Sequence, residues 1–326
     1  MKQRDDSSNK KKKSKRRWIY VSIGTGLILF LALNFITASH AYHFTHFETS
    51  ISEGGRVANS EVSISELFTG ISLAKPINDS IDLDFVDIDT IHNKENIEIW
   101  HLDMEPSKGV VALFHGYRAT KSNLWQEAMA FYRMGYTVVL ADFRGSGNSS
   151  GRNCTIGYFE AEDVVTTFKF CKNQYPNQPV YLYGSSMGAA AITRAVGELK
   201  IEPHGILLQS SFPTMLSAVQ ARFKLQEIPP FPSAQLVTFW GGYLNGFNAF
   251  EHNPVDYAVH IQCPTLVIHG MLDDRISYED SKAVYAAISG PKEIAVFGKS
   301  GHESILNKEE LNWIYFVTNF METHSD

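Results

Sequence analysis

The chain has 326 residues, of which 44% are hydrophobic, 12% aromatic and 20% charged. This composition is ordinary for a globular protein with a substantial core, and it excludes a largely disordered chain. The formal net charge of −6 is unevenly spread, because residues 1–17 contain nine basic and two acidic residues. That segment therefore carries +7 and leaves −13 for the rest of the chain. An acidic folded domain repels phosphate groups, so we expect no nucleic-acid partner.

An apolar segment follows the basic residues directly. Residues 18–37 contain no charged side chain, and this length approaches the roughly 20 apolar residues that a membrane-spanning helix needs. The segments are therefore interpreted as a basic cytoplasmic tail (1–17) and a transmembrane signal-anchor (18–38). The positive-inside rule then predicts a catalytic domain on the extracytoplasmic side of the membrane. The alternative is a secreted protein, released by signal-peptide cleavage at the small residues near position 40.

Residues 39–80 have weak periodicity and are expected to form a connector with one short helix over 65–72. Three histidines just outside the span are interpreted as part of an aromatic-rich juxtamembrane stretch rather than as metal ligands: His40, His43 and His46. No Cys/His spacing in the chain resembles a zinc site, so no metal is expected. Three cysteines permit at most one disulfide, for which Cys154 and Cys171 are the one pair considered.

Strand and helix patterns alternate over 81–326, which is predicted to be one domain. The expected strands are 83–88, 97–102, 110–114, 137–143, 180–183, 205–208, 265–269 and 293–297. The expected helices are 123–134, 159–175, an Ala-rich run ending near 199, 279–288 and 308–321. Residues 213–256 break the alternation with prolines and aromatic residues, and they are interpreted as a cap insertion.

Such alternation predicts a mostly parallel central sheet of about eight strands with helices on both faces. Active sites in these sheets form at the carboxyl ends of the strands. Gly184-Ser185-Ser186-Met187-Gly188 matches G-x-S-x-G and lies between a predicted strand and a predicted helix. This context is typical of a nucleophile elbow, so Ser186 is the candidate nucleophile and Gly184 and Gly188 are the elbow glycines.

A serine hydroxyl needs a base, which in this arrangement comes last in the chain. His302 follows the final predicted strand and is the candidate base. The carboxylate that orients it is expected between serine and histidine. Asp273 is the preferred candidate, and Asp274 is the alternative.

The oxyanion hole of such a site needs two backbone N–H groups. Met187 follows the nucleophile and supplies one of them. Tyr117 lies in the loop after the strand 110–114 and supplies the other, with Gly116 as the turn glycine. No cofactor is expected, because neither a P-loop nor a dinucleotide-binding fingerprint is present.

Six segments resemble those of α/β-hydrolases of the serine aminopeptidase-like and Bem46-like kind. They are LFHGY (113–117), ADFRGSGNSSG (141–151), GYFEAEDV (157–164), YGSSMGAA (183–190), VIHGMLDDRIS (267–277) and GKSGHES (299–305). The resemblance covers 83–321 and implies an α/β-hydrolase fold with a short cap and a serine hydrolase mechanism. An N-terminal span also occurs in Bem46-like members.

The expected activity is hydrolysis of an ester, thioester or amide through an acyl-enzyme on Ser186. The substrate would be a small-molecule, lipid or peptide acyl compound. The aromatic residues of the cap are expected either to form an apolar acyl pocket for it or to pack as the cap's own small core. Peptidase action would require a cap carboxylate such as Glu227 or Glu251 to hold a free amine. Two alternatives remain open: an acyltransferase with the same triad, and a non-catalytic, membrane-tethered binding protein with the hydrolase fold.

Overall fold

A computed structural model describes residues 3–48, 63–81 and 86–325. Its first element is a single helix, α1 (Gln3–Thr45), which includes a segment long and apolar enough to cross a membrane, Lys13–Thr45. The helix continues past residue 38, so the beginning of the predicted connector is helical. Side chains are exposed along the predicted span, but they become partly buried from residue 33 onward because the end of α1 packs against the domain.

The short helix of the connector is α2 (Ile64–Thr69), which begins one residue before the predicted range. Its N-terminus has a capping box, in which the Ser63 hydroxyl accepts from the Glu66 N–H and the Glu66 carboxylate accepts from the Ser63 N–H. Such a box satisfies N–H groups that have no partner within the helix. The connector residues 49–62 lie outside the described part of the chain.

The described residues form one eight-stranded sheet. Its strands are β1 (Asp87–His92), β2 (Asn96–Leu102), β3 (Val110–Phe114), β4 (Thr137–Ala141), β5 (Val180–Ser185), β6 (Gly205–Gln209), β7 (Thr265–Gly270) and β8 (Lys292–Phe297). The helices between them are α3 (Trp125–Arg133), α4 (Glu160–Gln174), α5 (Met187–Gly197), α6 (Met215–Leu225), α7 (Ser233–Asn245), α8 (Pro254–Ala258), α9 (Tyr278–Ala287), α10 (Ile305–Lys308) and α11 (Glu310–Thr323).

The strand order is β1-β2-β4-β3-β5-β6-β7-β8. The first two links are antiparallel and all the others are parallel, so the prediction of a mostly parallel sheet of about eight strands is confirmed. In register, Phe114 faces Gly184 and Gly184 faces Leu208. The carboxyl ends of β3, β5 and β6 are therefore level, and the loops that follow them meet at one edge.

Two hydrophobic layers enclose the sheet. One face packs against α4, α5 and α9 through residues such as Val164, Ala189 and Val284. The other face packs against α3 and α11 through Phe131 and Trp313. Burial on both faces explains why the central strands are continuous apolar runs rather than alternating ones.

Several element boundaries differ from the predictions. The first strand is Asp87–His92 rather than 83–88, and residues 82–85 lie outside the described part of the chain. The helix expected over 123–134 begins with a 3-10 turn at Lys121–Leu124. The last predicted helix, 308–321, corresponds to α11, and Lys308 instead ends a separate short helix, α10.

The insertion at 213–256 is helical. It contains α6, α7, a 3-10 turn at Ala249–Glu251 and the start of α8. Helix α7 packs along the end of α1, where the Trp240 indole N–H donates to the Asn34 side-chain oxygen at 3.3 Å. The three cysteines are free thiols, and Cys154 and Cys171 do not form a disulfide.

The two elbow glycines are places where a side chain does not fit, which leads to a stability prediction. A Cβ added at Gly188 would lie 2.2 Å from the Phe114 carbonyl oxygen, whereas one added at Gly298 meets no atom within 4 Å. We expect Gly188→Ala to lower the free energy of unfolding by about 1–3 kcal/mol, the usual cost of overpacking. Gly298→Ala is the matched control and should stay within about 0.5 kcal/mol. Denaturant unfolding of detergent-solubilised protein measures both, and equal stabilities would contradict the steric argument.

Candidate active site

Ser186 lies on a sharp turn between β5 and α5. Its backbone has φ 54° and ψ −109°, a conformation that non-glycine residues seldom adopt. The turn is held because the Ser186 N–H donates to the Gln209 carbonyl at 2.8 Å, while α5 packs closely against the end of β3 at Gly188. The strained backbone thus places the hydroxyl at the helix N-terminus, above the sheet edge, as the motif predicts.

The two proposed oxyanion donors flank this turn. Met187 is the first residue of α5, so its N–H has no carbonyl one turn earlier to bind. Tyr117 follows Gly116 in the loop after β3, and this loop is held by His115. The His115 ring accepts from the Phe143 N–H at 3.1 Å and donates to the Gly116 carbonyl at 2.8 Å. Burial lowers the pKa of His115, so the ring stays neutral and can fill both roles.

Asp273 and His302 form a hydrogen-bonded pair. His302 Nδ1 donates to Asp273 Oδ2 at 2.8 Å, and the Asp273 side chain is fully buried. The other carboxylate oxygen accepts from the N–H groups of Arg275 and Ile276, both at 2.9 Å. Burial acts to raise the pKa of Asp273, but the His302 hydrogen bond and these backbone donors outweigh it and hold the pKa below its usual value. Asp274, the sequence alternative, is exposed and makes no such contact among the described residues.

Ser186 and His302 border the same two cavities. Within the described residues, no hydrogen bond joins the Ser186 hydroxyl to the His302 ring. Nucleophile–base contacts are often long without substrate and shorten when it binds. His269, the other histidine near this edge, is buried and its Nδ1 is 2.9 Å from the Ser281 hydroxyl, so it supports the loop from below.

A buried ion pair fixes the loops beside the site. The Lys121 ammonium and the Asp142 carboxylate are both fully buried and hydrogen-bonded to each other. Asp142 also accepts from the backbone N–H of Lys121 at 2.9 Å and of Asn148 at 3.1 Å. Lys121 makes a second pair with Glu98 at 2.8 Å. The sequence gave no indication that Lys121 would be the partner of Asp142.

Ser186 stands between two kinds of cavity. On one side are two narrow spaces of about 40 Å³ each, which share the lining residues Phe44, Ile156, Met215 and Val219. We call these the apolar arm. On the other side is a cavity of about 180 Å³, the polar arm, whose lining includes Glu127, Ser185, Gln209 and Ser304.

Two arginines border these cavities, and the sequence analysis did not identify them. Arg222, on α6, and Arg275, after β7, line both the polar arm and the part of the apolar arm nearest Ser186. Neither guanidinium has a hydrogen bond or carboxylate partner within the part of the chain that the structure describes, not even Arg275 with adjacent Asp274. Burial, and then repulsion from Arg275, lower the pKa of Arg222. The sequence did contain an indication of these arginines, because both lie in segments that follow the carboxyl ends of strands, where active sites form.

The end of α1 forms one wall of the site. The Phe44 ring stacks on the Tyr117 ring with centroids 4.5 Å apart, and the Tyr117 hydroxyl donates to the Phe44 carbonyl at 2.7 Å. Ala41 and Phe44 both line the apolar arm. The helix that contains the predicted membrane segment therefore continues to the predicted oxyanion loop and contacts it, which the sequence did not indicate.

The cap aromatic residues mostly face outward, so they form neither the expected acyl pocket nor a separate cap core. Phe231 is 76% exposed, Tyr243 68% and Phe239 47%. Phe247 is the exception, because it lines the apolar arm and stacks on Tyr158 with centroids 4.3 Å apart. Neither Glu227 nor Glu251 borders the cavities around Ser186 described here, which removes the geometric basis for an amine-binding carboxylate.

One group of side chains could supply metal ligands: Asp87, His101 and Asp103, whose ligand atoms all lie within 4.8 Å of one another. This group belongs to the β1–β2 hairpin rather than to the Ser186 edge. His101 is already paired with Asp89 at 3.1 Å and Asp103 at 3.4 Å, so its burial is explained without a metal. Of the juxtamembrane histidines, His40 contacts the Leu67 carbonyl at 2.9 Å.

Three sequence comparisons relate this chain to known proteins. The family model described as serine aminopeptidase, S33, matches residues 105–228. The uncharacterized protein YqkD of Bacillus subtilis (strain 168) is 22% identical over 71% of this chain and 77% of its own length. Lysophosphatidylserine lipase ABHD12 of Macaca fascicularis is 24% identical over 58% of this chain, which spans about half (48%) of that relative.

Solved structures show the same fold. The Pyrococcus furiosus esterase Pf2001 superposes with a TM-score of 0.62 at 22% identity, covering 77% of this chain and 98% of the esterase. The eight-stranded sheet, the strand–turn–helix around Ser186 and the family match agree with one another. The chain therefore has the α/β-hydrolase fold, and residues 105–228 within it match the serine aminopeptidase, S33, model.

Proposed function

We propose that the protein is a membrane-tethered serine hydrolase that cleaves an ester or thioester through an acyl-enzyme on Ser186. The observation that supports this most directly is the arrangement at one sheet edge. A strained serine and a histidine border one cavity, and behind the histidine lies a buried carboxylate that accepts its hydrogen bond. The names of similar proteins, an esterase and a lysophosphatidylserine lipase, point to the same reaction class.

In the proposed reaction, the Ser186 oxygen attacks the substrate carbonyl while His302 Nε2 takes the hydroxyl proton. The new C–O bond forms as the carbonyl π electrons move to oxygen, and the Met187 and Tyr117 N–H groups stabilise that oxyanion. The bond to the leaving group then breaks, and His302 returns the proton to the leaving oxygen or sulfur. Water, deprotonated by His302, resolves the acyl-enzyme by the same steps. Asp273 holds the imidazole tautomer and stabilises its cation throughout.

Two alternatives use the same site. Acyl transfer to an alcohol or amine would replace water in the second step, and product analysis with a competing acceptor separates it from hydrolysis. A non-catalytic binding protein is disfavoured because a binder gains nothing from a strained Ser186 backbone. Amide cleavage ranks below ester cleavage, since the described cavities contain no cap carboxylate suited to hold a free amine.

We infer that α1 remains attached and spans the membrane, with residues 1–17 in the cytoplasm. Helix α1 is continuous through the proposed cleavage point, and Ala41 beside it is almost completely buried. Cleavage there would separate Asn34 from Trp240 and expose the apolar wall of the site. The outward aromatic residues of α7 lie beside the span, where Trp and Tyr side chains favour the membrane–water interface.

The nucleophile assignment predicts that a fluorophosphonate probe labels the wild-type protein at Ser186. Ser186→Ala should abolish labelling and lower kcat/KM for a reactive ester by about 10⁴-fold or more. Ser185→Ala is the matched control, because its hydroxyl is adjacent but off the turn centre, and it should still be labelled. Absence of labelling in folded wild-type protein would contradict the proposal.

The geometry around His302 predicts a sharp difference between neighbouring carboxylates. Asp273→Asn keeps the shape but removes the charge and favours the wrong imidazole tautomer, so kcat should fall by about 10³–10⁴-fold. Asp274→Asn should keep kcat within about threefold, since the side chain is exposed. Steady-state kinetics measures both, and similar losses in the two variants would refute the role of Asp273.

The anchor assignment predicts that the full-length protein stays in the membrane fraction after an alkaline carbonate wash. A tag at the N-terminus should remain attached and should resist protease added outside intact cells. A mature protein shortened to a point near Ala41 would contradict the anchor, and a protease-sensitive tag would contradict the orientation.

A further inference from the structure

We propose, on the basis of the proposed hydrolase function, that the substrate is a single-chain acyl ester with an anionic leaving group. Its hydrocarbon chain lies in the apolar arm, and its anionic group binds Arg222 and Arg275 at the polar arm. Phosphate and carboxylate leaving groups share this chemistry.

The two arms are chemically opposite. In the part of the apolar arm away from Ser186, no lining residue is charged. The polar arm is lined by Arg222, Arg275 and Glu303, and a hydrocarbon chain placed there would cover charged groups without giving them a hydrogen-bond partner. We therefore place the chain toward α1 and the leaving group toward the polar arm.

Arg222, which is half-buried, and Arg275, which is exposed, lie beside Ser186 without a carboxylate partner among the described residues. By contrast, Lys121 pairs with Asp142 and Glu98, and Arg144 pairs with Asp163 at 2.6 Å. After burial, repulsion from Arg275 lowers the pKa of Arg222 most, although Asp273 acts in the opposite direction. Two like charges that lie close together repel each other. An anion bound between the two guanidiniums would relieve this repulsion, so the arrangement favours anion binding.

Two carboxylates border the polar arm and must be weighed against this. Glu303 lies 3.6 Å from Lys308 and is turned toward that ammonium. Glu127 is buried and accepts from the Ser304 hydroxyl at 2.6 Å, and burial raises its pKa, which favours the neutral acid. Neither carboxylate contacts a guanidinium, so the two arginines provide the dominant charge at the polar arm.

The chain end of the substrate would lie next to the anchor helix. Ala41 and Phe44 of α1 wall the apolar arm, and α7 packs on α1 as far up as Asn34, within the apolar span. The arm is narrow, and Met215 lies in both of its cavities, so flexible side-chain rotation can widen it. A single chain fits this geometry better than two.

In the reaction, the ester C–O bond breaks, the acyl carbon joins Ser186 Oγ, and the leaving alkoxide takes its proton from His302. The anionic group of that alcohol keeps its charge throughout, so no additional reactant is needed. The arginines bind a group that does not react, and they act as specificity residues rather than catalytic ones.

The test compares dodecanoyl esters with different leaving groups in neutral detergent micelles. They are a glycerol ester, a glycerol-3-phosphate ester, a glycerophosphocholine ester and a hydroxy-acid ester with a free carboxylate. We expect kcat/KM for the phosphate or carboxylate ester to exceed that for the glycerol ester by about tenfold or more. The phosphate and carboxylate arms identify which anion is preferred, and high salt should reduce the preference.

Arg275→Gln is the primary variant, because this side chain is exposed and its loss should not affect folding. Arg275→Gln and Arg222→Gln should each lower the anionic-to-neutral ratio of kcat/KM about tenfold. Arg133→Gln is the matched control. It removes the same charge from an exposed site before β4, at the opposite edge of the sheet, and should leave the ratio unchanged. Val219→Trp should fill the apolar arm and lower the dodecanoyl-to-acetyl ratio.

The experiments distinguish failure of the proposed substrate class from failure of the proposed hydrolase function. Fluorophosphonate labelling of Ser186 with equal hydrolysis of neutral and anionic esters would overturn the anionic leaving group and leave the hydrolase intact. An unchanged ratio in both arginine variants would do the same. No labelling and no hydrolysis of any ester would overturn the hydrolase, and the substrate class with it.

Discussion

The site depends on how closely α5 approaches the sheet at its N-terminus. A Cβ at Gly184 would lie 2.5 Å from the Gly188 carbonyl carbon, and one at Gly188 would lie 2.2 Å from the Phe114 oxygen. Because both positions are glycine, α5 can approach the sheet closely enough for β5 to turn directly into the helix with Ser186 at positive φ. The proposed oxyanion donors, on β3's loop and on α5, come together because of the same contact, so the nucleophile and its donors form one rigid unit.

Around that unit, most buried charged groups are paired with a group of opposite charge or with hydrogen-bond donors. Asp142 is matched by Lys121, and Asp273 by His302 and two backbone N–H groups. The Arg222 and Arg275 guanidiniums depart from this pattern within the described residues, and they do so where a substrate would enter. These two unpaired guanidiniums beside Ser186 are the physical basis on which we propose an anionic leaving group.

The end of α1, the proposed membrane anchor, also forms part of the site around Ser186. Because Phe44 stacks on Tyr117 and accepts its hydroxyl hydrogen bond, the end of α1 packs on the loop proposed to hold the oxyanion. The same helix end walls the apolar arm, and the exposed aromatic residues of α7 lie alongside. The edge of the sheet that carries Ser186 therefore lies beside the end of α1. In the membrane-tethered hydrolase that we propose, this arrangement suits a substrate that partitions into lipid.

The sequence by itself determined the α/β-hydrolase fold, because buried parallel strands appear as short apolar runs and the G-x-S-x-G turn has a steric requirement that only glycine meets. It also predicted the residues that meet at the sheet edge, since strand ends are readable from local pattern. Strand limits such as Asp87–His92, the separation of α10 from α11 and the continuation of α1 to Thr45 depended on packing between distant segments. Tertiary structure alone decided which carboxylate faces His302, which way the cap aromatics point, and that Arg222, Arg275 and Phe44 border Ser186. Those are contacts across many residues of chain, and no local periodicity encodes them.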